Sequence, residues 1–194
     1  MPRRSPSRRT SPLRRTRGRV SAGCPARAGG RRHAKVDPFN LHARFVAPQR
    51  ATFARALAEI RNGRKTTHWS WYVFPTPPYV VHGKERGSSW NRWYALRDPS
   101  PNELQGGAAA AAYLAFRSEE GYYLRDNYMK TMTAVAEKLE QGTTARDLVG
   151  ASDEPKLKAS LILFERASRR VKDRGVHAAC TRALAAMRAT SQSA

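Results

Sequence analysis

Cysteine is scarce in this chain: Cys24 and Cys180 are the only two in 194 residues. They lie too far apart in sequence to make the disulfide framework of a small secreted domain, and both are expected to be reduced. No uninterrupted apolar run approaches about 18 residues, and with a mean hydropathy of −0.67 this argues against a membrane span and for a soluble protein. The N-terminus also lacks the apolar core of about 7–15 residues that a secretory signal needs. Acidic groups are few, 15 against 36 Lys and Arg, so the formal charge is +21 and a neutral cytosolic surface is excluded. Phosphate-cradling loops are missing, since no Gly-x-Gly-x-x-Gly follows a strand and no Gly-Lys-Ser/Thr loop occurs. The histidines, His33, His42, His68, His82 and His177, show no zinc-type spacing with Cys or carboxylates. No metal and no cofactor is therefore expected.

The charge that is present is uneven. Residues 1–36 carry 12 Arg and Lys and no acid, while residues 37–194 carry the other 24 basic and all 15 acidic groups. The first segment is rich in Arg, Ser, Pro and Gly and too poor in large apolar side chains to offset the entropy of ordering it, so it is expected to be a disordered arm. Arg3, Arg4, Arg8, Arg9, Arg14, Arg15, Arg17 and Arg19 make it a polycation suited to nucleic acid or another polyanion, with affinity that falls as salt rises. The interleaved Ser-Pro steps offer sites where phosphorylation would cancel charge. An organellar transit peptide is also Arg- and Ser-rich, but Pro2, Pro6 and Pro12 interrupt any amphipathic helix there, which favours an intracellular, nuclear or nucleic-acid-associated location. A solubilising extension with no partner is the third possibility.

From residue 37 the pattern is helical, and no segment shows convincing period-2 alternation. A mainly α, single compact domain of about six helices is predicted over residues 37–188, followed by a frayed tail at 189–194. Pro48 opens a helix with Phe53, Leu57 and Ile60 on one face and Gly63 beyond its end. Residues 68–74 are predicted as a short helix, 75–89 as a loop and 89–96 as a helix. Ser100-Pro101-Asn102-Glu103 has the spacing of a capping box and predicts a helix from there to about Phe116, with the glycines at 106–107 as a weak point. Leu124, Tyr128, Met132, Val135 and Leu139 predict the next helix, closed by Gly142. Thr144 and Asp147 repeat the capping spacing before a short turn. Leu157, Leu161 and Phe164, then Val176, Cys180, Leu184 and Met187, mark two further buried faces. On that last face Cys180 is expected to be a small core residue rather than a nucleophile. Asp153 and Glu154 are assigned to the positive end of a starting helix rather than to catalysis.

One cluster carries chemistry. Lys65, His68, Trp69, Trp71, Tyr72 and Phe74 set a cation and an imidazole among aromatics, together with Thr66, Thr67 and Ser70. Aromatic faces stack a base, a lysine offers a point charge to phosphate, and an imidazole moves a proton near neutral pH. The structural alternative makes Trp69, Tyr72 and Phe74 core and lets His68 donate to a backbone carbonyl.

Asp37-Pro38-Phe39-Asn40-Leu41, Arg44-Phe45, Ala56-Leu57-x-Glu59-Ile60-x-x-Gly63-x-Lys65, His68-Trp69-x-Trp71-x-x-Phe74-Pro75, Tyr94-Ala95, Tyr113-Leu114 and Asp153-Glu154-x-Lys156-Leu157-x-x-Ser160-x-x-Leu163-Phe164 occur in this order. Over residues 37–164 the chain thereby resembles the bacterial family of unknown function numbered 1810, sometimes labelled calpastatin-like. The resemblance implies a compact all-helical domain without an established activity, and its shared polar positions fall here on Lys65, His68, Lys156 and Ser160. The chain departs from the family at Thr76, where Gln is usual, at Ile162, where Thr is common, in a longer 77–89 loop, and in lacking the family's aromatic C-terminal segment after Met187. The arm lies outside the resemblance.

Three functional classes follow. The first is a helical module binding a small anionic, nucleotide-like ligand through Lys65, His68, Trp69, Trp71, Lys156 and Ser160, with the arm contacting nucleic acid. The second is an enzyme with His68 as general base, which needs a second polar group within hydrogen-bond reach in a concave site. The third is a structural domain whose activity is nucleic-acid binding or targeting by the arm. No oligomeric state is implied.

Overall fold

The computed structural model describes residues 37–192. The arm, with Cys24 and the arginines singled out above, and the last two residues lie outside them. Eight α-helices make the described region mainly helical: α1 (Ala47–Arg61), α2 (Ser70–Val73), α3 (Ser89–Tyr94), α4 (Gly107–Ala115), α5 (Leu124–Glu140), α6 (Ala145–Val149), α7 (Glu154–Arg170) and α8 (Arg174–Gln192). The hydrophobic spacings explain the long ones. Leu124, Tyr128, Met132, Val135 and Leu139 are all buried on α5, and Leu157, Leu161 and Phe164 on α7. On α8 the buried stripe is Val176, Ala179, Cys180, Ala183 and Met187, with Leu184 half-buried at its edge. α8 lies against both α5 and α7, α1 packs on α5, and α4 packs on α7 and α5. Tyr128 and Phe164 stack with centroids 4.0 Å apart, and Tyr113 meets Phe45 and Phe164 edge-on at 5.2 Å each. Burial pushes the Cys180 thiol up to about 12, so it stays protonated as a core side chain.

Polar groups brace the entry to this core. The Asp37 carboxylate accepts from the backbone N–H groups of Leu41 and His42 at 2.8 Å each and caps a π-helical turn, His42–Val46, that runs into α1. Arg44 on that turn is buried and donates to the carbonyls of Phe39, Trp93 and Ala95. Burial, then the neighbouring Arg97, pushes its guanidinium down to about 10. Thr144 caps α6 as its spacing predicts, its hydroxyl accepting from Asp147 N at 3.1 Å.

Two expectations are corrected. No helix starts at Ser100: residues 99–106 form a turn and α4 begins at Gly107. The cap comes from farther back, since Asp98 Oδ1 accepts from Ala109 N at 2.9 Å. Gly106 has φ +71°, and a Cβ there would lie 2.6 Å from the Leu96 carbonyl oxygen, so the close approach of chain to chain requires glycine. The 75–89 segment is not wholly irregular either. It folds into a two-stranded antiparallel hairpin, β1 (Val80–Val81) and β2 (Lys84–Glu85), too short for period-2 alternation to register in the sequence. At the other end α8 remains helical to Gln192, with Thr190 Oγ1 donating back to the carbonyls of Ala186 and Met187.

Candidate ligand-binding cleft

The functional cluster is shaped by two carboxylates. α1 ends at Arg61, and the chain turns through Gly63 so that Lys65 N donates to the Leu148 carbonyl of α6 at 2.7 Å. The buried Glu59 carboxylate on α1 gathers the residues that follow. It accepts from Thr66 N at 2.8 Å, Thr67 N at 3.0 Å, Thr67 Oγ1 at 2.6 Å and Trp69 Nε1 at 2.8 Å. Burial alone would raise its pKa, but these donors outweigh it and hold the carboxyl down at about 2. Trp69 is thereby pulled inward to 1% exposure, edge-on to Phe74 at 5.2 Å.

The second carboxylate is Asp153, just before α7. It is not spent on the helix terminus, as its position in sequence suggests, and makes no side-chain cap. Instead it is buried between two ammonium groups and a hydroxyl: Lys65 Nζ at 2.8 Å, Lys156 Nζ at 2.6 Å and Ser70 Oγ at 2.8 Å. Burial works against its charge, and the hydrogen bonds from Lys156, Lys65 and Ser70 overcome this and hold the carboxyl below the usual range. Asp153 thus ties the 64–69 loop, the start of α2 and the start of α7 together.

Beside this node a cleft of about 410 Å³ opens between α2, the hairpin arm, α3 and the first turns of α7. Trp71, Phe74, Tyr79 and Tyr94 supply its aromatic walls, Pro77 and Pro78 one rim, and Ser152, Pro155 and Lys156 the other. Trp71 is fixed by its Nε1, which donates to Asn91 Oδ1 at 2.9 Å, and the Lys156 ammonium sits 5.1 Å from the centroid of its ring. Asn91 in turn is held close to Gly87, where φ is +96° and a Cβ would meet Asn91 Nδ2 at 2.8 Å. Outside Trp71 the indole of Trp90, 56% exposed, stacks on Tyr94 at 5.9 Å and 11°. Mostly apolar walls with a few converging polar groups are the ordinary make-up of a small-molecule site. The aromatic faces can stack a planar ring, and the ammonium, with three N–H donors and only one carboxylate oxygen engaged, has protons left for an anionic group.

The structure brings some of the sequence-selected residues together and separates others. Lys65 and Lys156 meet on one carboxylate, and Trp71 and Lys156 line the cleft. Trp69 does not: it belongs to the core. Ser160, one helical turn after Lys156 on α7, is fully buried and turned into the core, its hydroxyl 3.1 Å from Tyr128 OH. His68 is exposed and not among the cleft-lining residues. Its imidazole makes no hydrogen bond or ion pair with a described residue, while its backbone carbonyl accepts from Tyr72 OH at 3.5 Å. Glu59, Asn91, Tyr79 and Tyr94 are residues to which sequence reasoning gave no site role, and Asp153 is one that it assigned to the helix start instead. The signal for Asp153 was two lysines beside tryptophans, which need a counter-charge. Among the described residues no three His, Cys, Asp or Glu side chains gather as a metal set, and no helix is long and apolar enough to cross a membrane.

A family model described as a protein of unknown function, DUF1810, matches residues 38–188. The match passes Phe164, where the motif resemblance ends, and takes in most of α8. Among solved structures, the crystal structure of the conserved hypothetical protein Rv1873 from Mycobacterium tuberculosis is similar, with 26% identity and a TM-score of 0.58 over 79% of this chain and 95% of that one. No curated protein matches.

Proposed function

Because the chain belongs to the DUF1810 family, whose description records no function, we propose one from the site itself: a binding module for a nucleotide-like ligand, with a planar ring against Trp71 and an anionic group toward Lys156. What supports this is the pairing, in one cleft, of an indole held in place by Asn91 with an ammonium 5.1 Å from its ring. Lys65 contributes indirectly. By sharing Asp153 it leaves the trio of two lysines and one aspartate with a surplus positive charge, so that Lys156 faces the ligand as a cation rather than as half of a neutral pair. The arm at residues 1–36, charged and acid-free, adds sequence-independent contact to nucleic acid and places the protein in a nucleic-acid-associated, intracellular setting. This assignment keeps Lys65, Trp71 and Lys156 from the sequence-derived set and leaves out Trp69, Ser160 and His68.

The test is titration of the full chain with nucleoside monophosphates, followed by tryptophan fluorescence. Saturable quenching is expected. Trp71→Ala should abolish it, and Lys156→Gln should weaken binding about tenfold, equivalent to about 1.4 kcal/mol, with neutral nucleosides affected less. Titrations without saturation for any of the common bases, or quenching that survives Trp71→Ala, would overturn the assignment.

A further inference from the structure

The α7 wall does not stop where the cleft does. Pro155, Lys156 and Ala159 face the aromatic groups, and Ala159, Ile162, Arg166 and Arg170 continue along the helix at steps of three and four residues. That spacing aligns side chains along one face. They border a second open depression of about 570 Å³, whose facing side carries Pro77 and Leu104. Pro77 and Ala159 line both depressions, so the two adjoin along α7, and we take them together as one groove. From Lys156 to Arg170 it follows α7 for about 21 Å at the ~1.5 Å rise of a helix.

The far half of this groove has a distinctive chemistry. Arg166 and Arg170 are exposed and pair with no carboxylate of a described residue, whereas their neighbour Arg169 is held by Glu165. Between them and Leu104, 42% exposed, runs an apolar strip that includes Ile162. The turn bearing Leu104 also carries the exposed Glu103, so negative groups of a ligand are steered to the α7 side.

We propose that the occupant of the whole groove is a single-stranded nucleic acid. This rests on the cleft taking a nucleotide unit: one base stacks on Trp71, and the backbone then follows α7 with its phosphates against Lys156, Arg166 and Arg170. The length fits, because about 21 Å is roughly six steps at the ~3.4 Å spacing of stacked nucleotides, more than a mononucleotide fills. The order fits as well, since sequence-tolerant single-strand binding combines a stacking platform with a basic track for the backbone. An acidic peptide would satisfy the arginines but would leave the aromatic end without a role.

The experiment is fluorescence anisotropy of the full chain with labelled oligothymidylates of increasing length, comparing the wild type with the double variant Arg166→Ala/Arg170→Ala. The arm is present in both proteins, so its contribution cancels in the comparison. Strands of about eight nucleotides should bind at least tenfold more tightly than a dinucleotide. The double variant should lose about tenfold for the long strand, and its slope of log affinity against log salt should be shallower by about 1.4, two single-strand phosphate contacts at ~0.7 each. Its circular dichroism and its binding of thymidine monophosphate should not change. Unaltered long-strand affinity and salt slope in the double variant would overturn the proposal while leaving the cleft assignment intact. Loss of Trp71-dependent mononucleotide binding in the wild type would instead remove the cleft assignment beneath it. Polyglutamate that competes in an Arg166-dependent but Trp71-independent way would show an acidic protein partner and also overturn the proposal.

Discussion

Glu59 and Asp153 are both buried carboxylates that each organise a stretch of chain, yet they are satisfied by opposite means. Glu59 is surrounded by neutral donors, two backbone N–H groups, a hydroxyl and an indole, all from residues 66–69. Asp153 is met by two ammonium groups and a hydroxyl from three separate elements. The first arrangement closes on itself and points nothing at solvent. The second is electrically unfinished, with two positive charges on one negative, and it lies at the edge of the cleft. The difference separates a structural knot from a node that can serve a ligand. It also explains why Trp69 and Trp71, two residues apart, part company: the knot draws one indole into the core, and the node leaves the other beside a lysine.

The largest expected effect tests the knot. A folded-state pKa near 2 against about 4.5 in the unfolded chain means that the unfolded state takes up the proton first as pH falls. The Glu59 contribution, on the order of 3 kcal/mol, is therefore complete above about pH 5, declines below it and is gone beneath about pH 2. Glu59→Gln should remove much of that amount at pH 7, measured by urea unfolding, and should flatten the acid limb of the stability curve. Ligand affinity of the folded fraction should stay within twofold. An acid limb as steep as that of the wild type would show that the carboxylate carries no such charge-dependent stability.

The node should respond in two directions at once. Asp153→Asn leaves Lys65, with 10% of its side chain exposed, without a counter-charge, and should cost about 2 kcal/mol, less than the full ~3–5 for breaking a buried pair because the flexible ammonium can reach toward water. The same change frees Lys156, so a nucleoside monophosphate should bind several-fold more tightly while the neutral nucleoside binds as before. If the monophosphate binds no better than to wild type, Asp153 is a second knot and the contrast with Glu59 disappears.

How much of this was legible in the sequence follows from the range of the interactions involved. The buried faces of α5 and α7 are written in spacings of three and four, and Thr144 reads as a cap because its partner is three residues away. The Ser100 capping signal misleads because α4 takes its cap from Asp98, and the tight approach of Gly106 to the Leu96 carbonyl turns the chain before the helix starts. The glycines at 106–107 mark the weak point in the sequence, but the contacts with Asp98 and Leu96 that decide where α4 starts reach back ten and more residues and follow no capping pattern. Within the site, Lys156 and Trp71 were visible as residue types, but the Asp153 contact with Lys65 spans most of the domain in sequence. The local alternative, an acid at a helix start, was the nearer explanation.

Ser160 gives the smallest and sharpest test, because motif position and structure disagree about it. In the Lys156-Leu157-x-x-Ser160 block the serine stands one helical turn after the cleft lysine, and a ligand-facing hydroxyl there would be costly to lose for binding. In the structure it is fully buried and shares a hydrogen bond with Tyr128 OH, whose own hydroxyl is also the nearest partner of the Cys180 thiol at 3.9 Å. Ser160→Ala should therefore cost about 1 kcal/mol, one neutral hydrogen bond with the tyrosine left partly satisfied by sulfur, and should leave nucleotide titrations unchanged. A fall in affinity with unaltered stability would move Ser160 into the cleft and require a different packing of α7. Unchanged affinity with reduced stability assigns the Lys-Leu-x-x-Ser block two tasks one helical turn apart: Lys156 for the groove and Ser160 for the core.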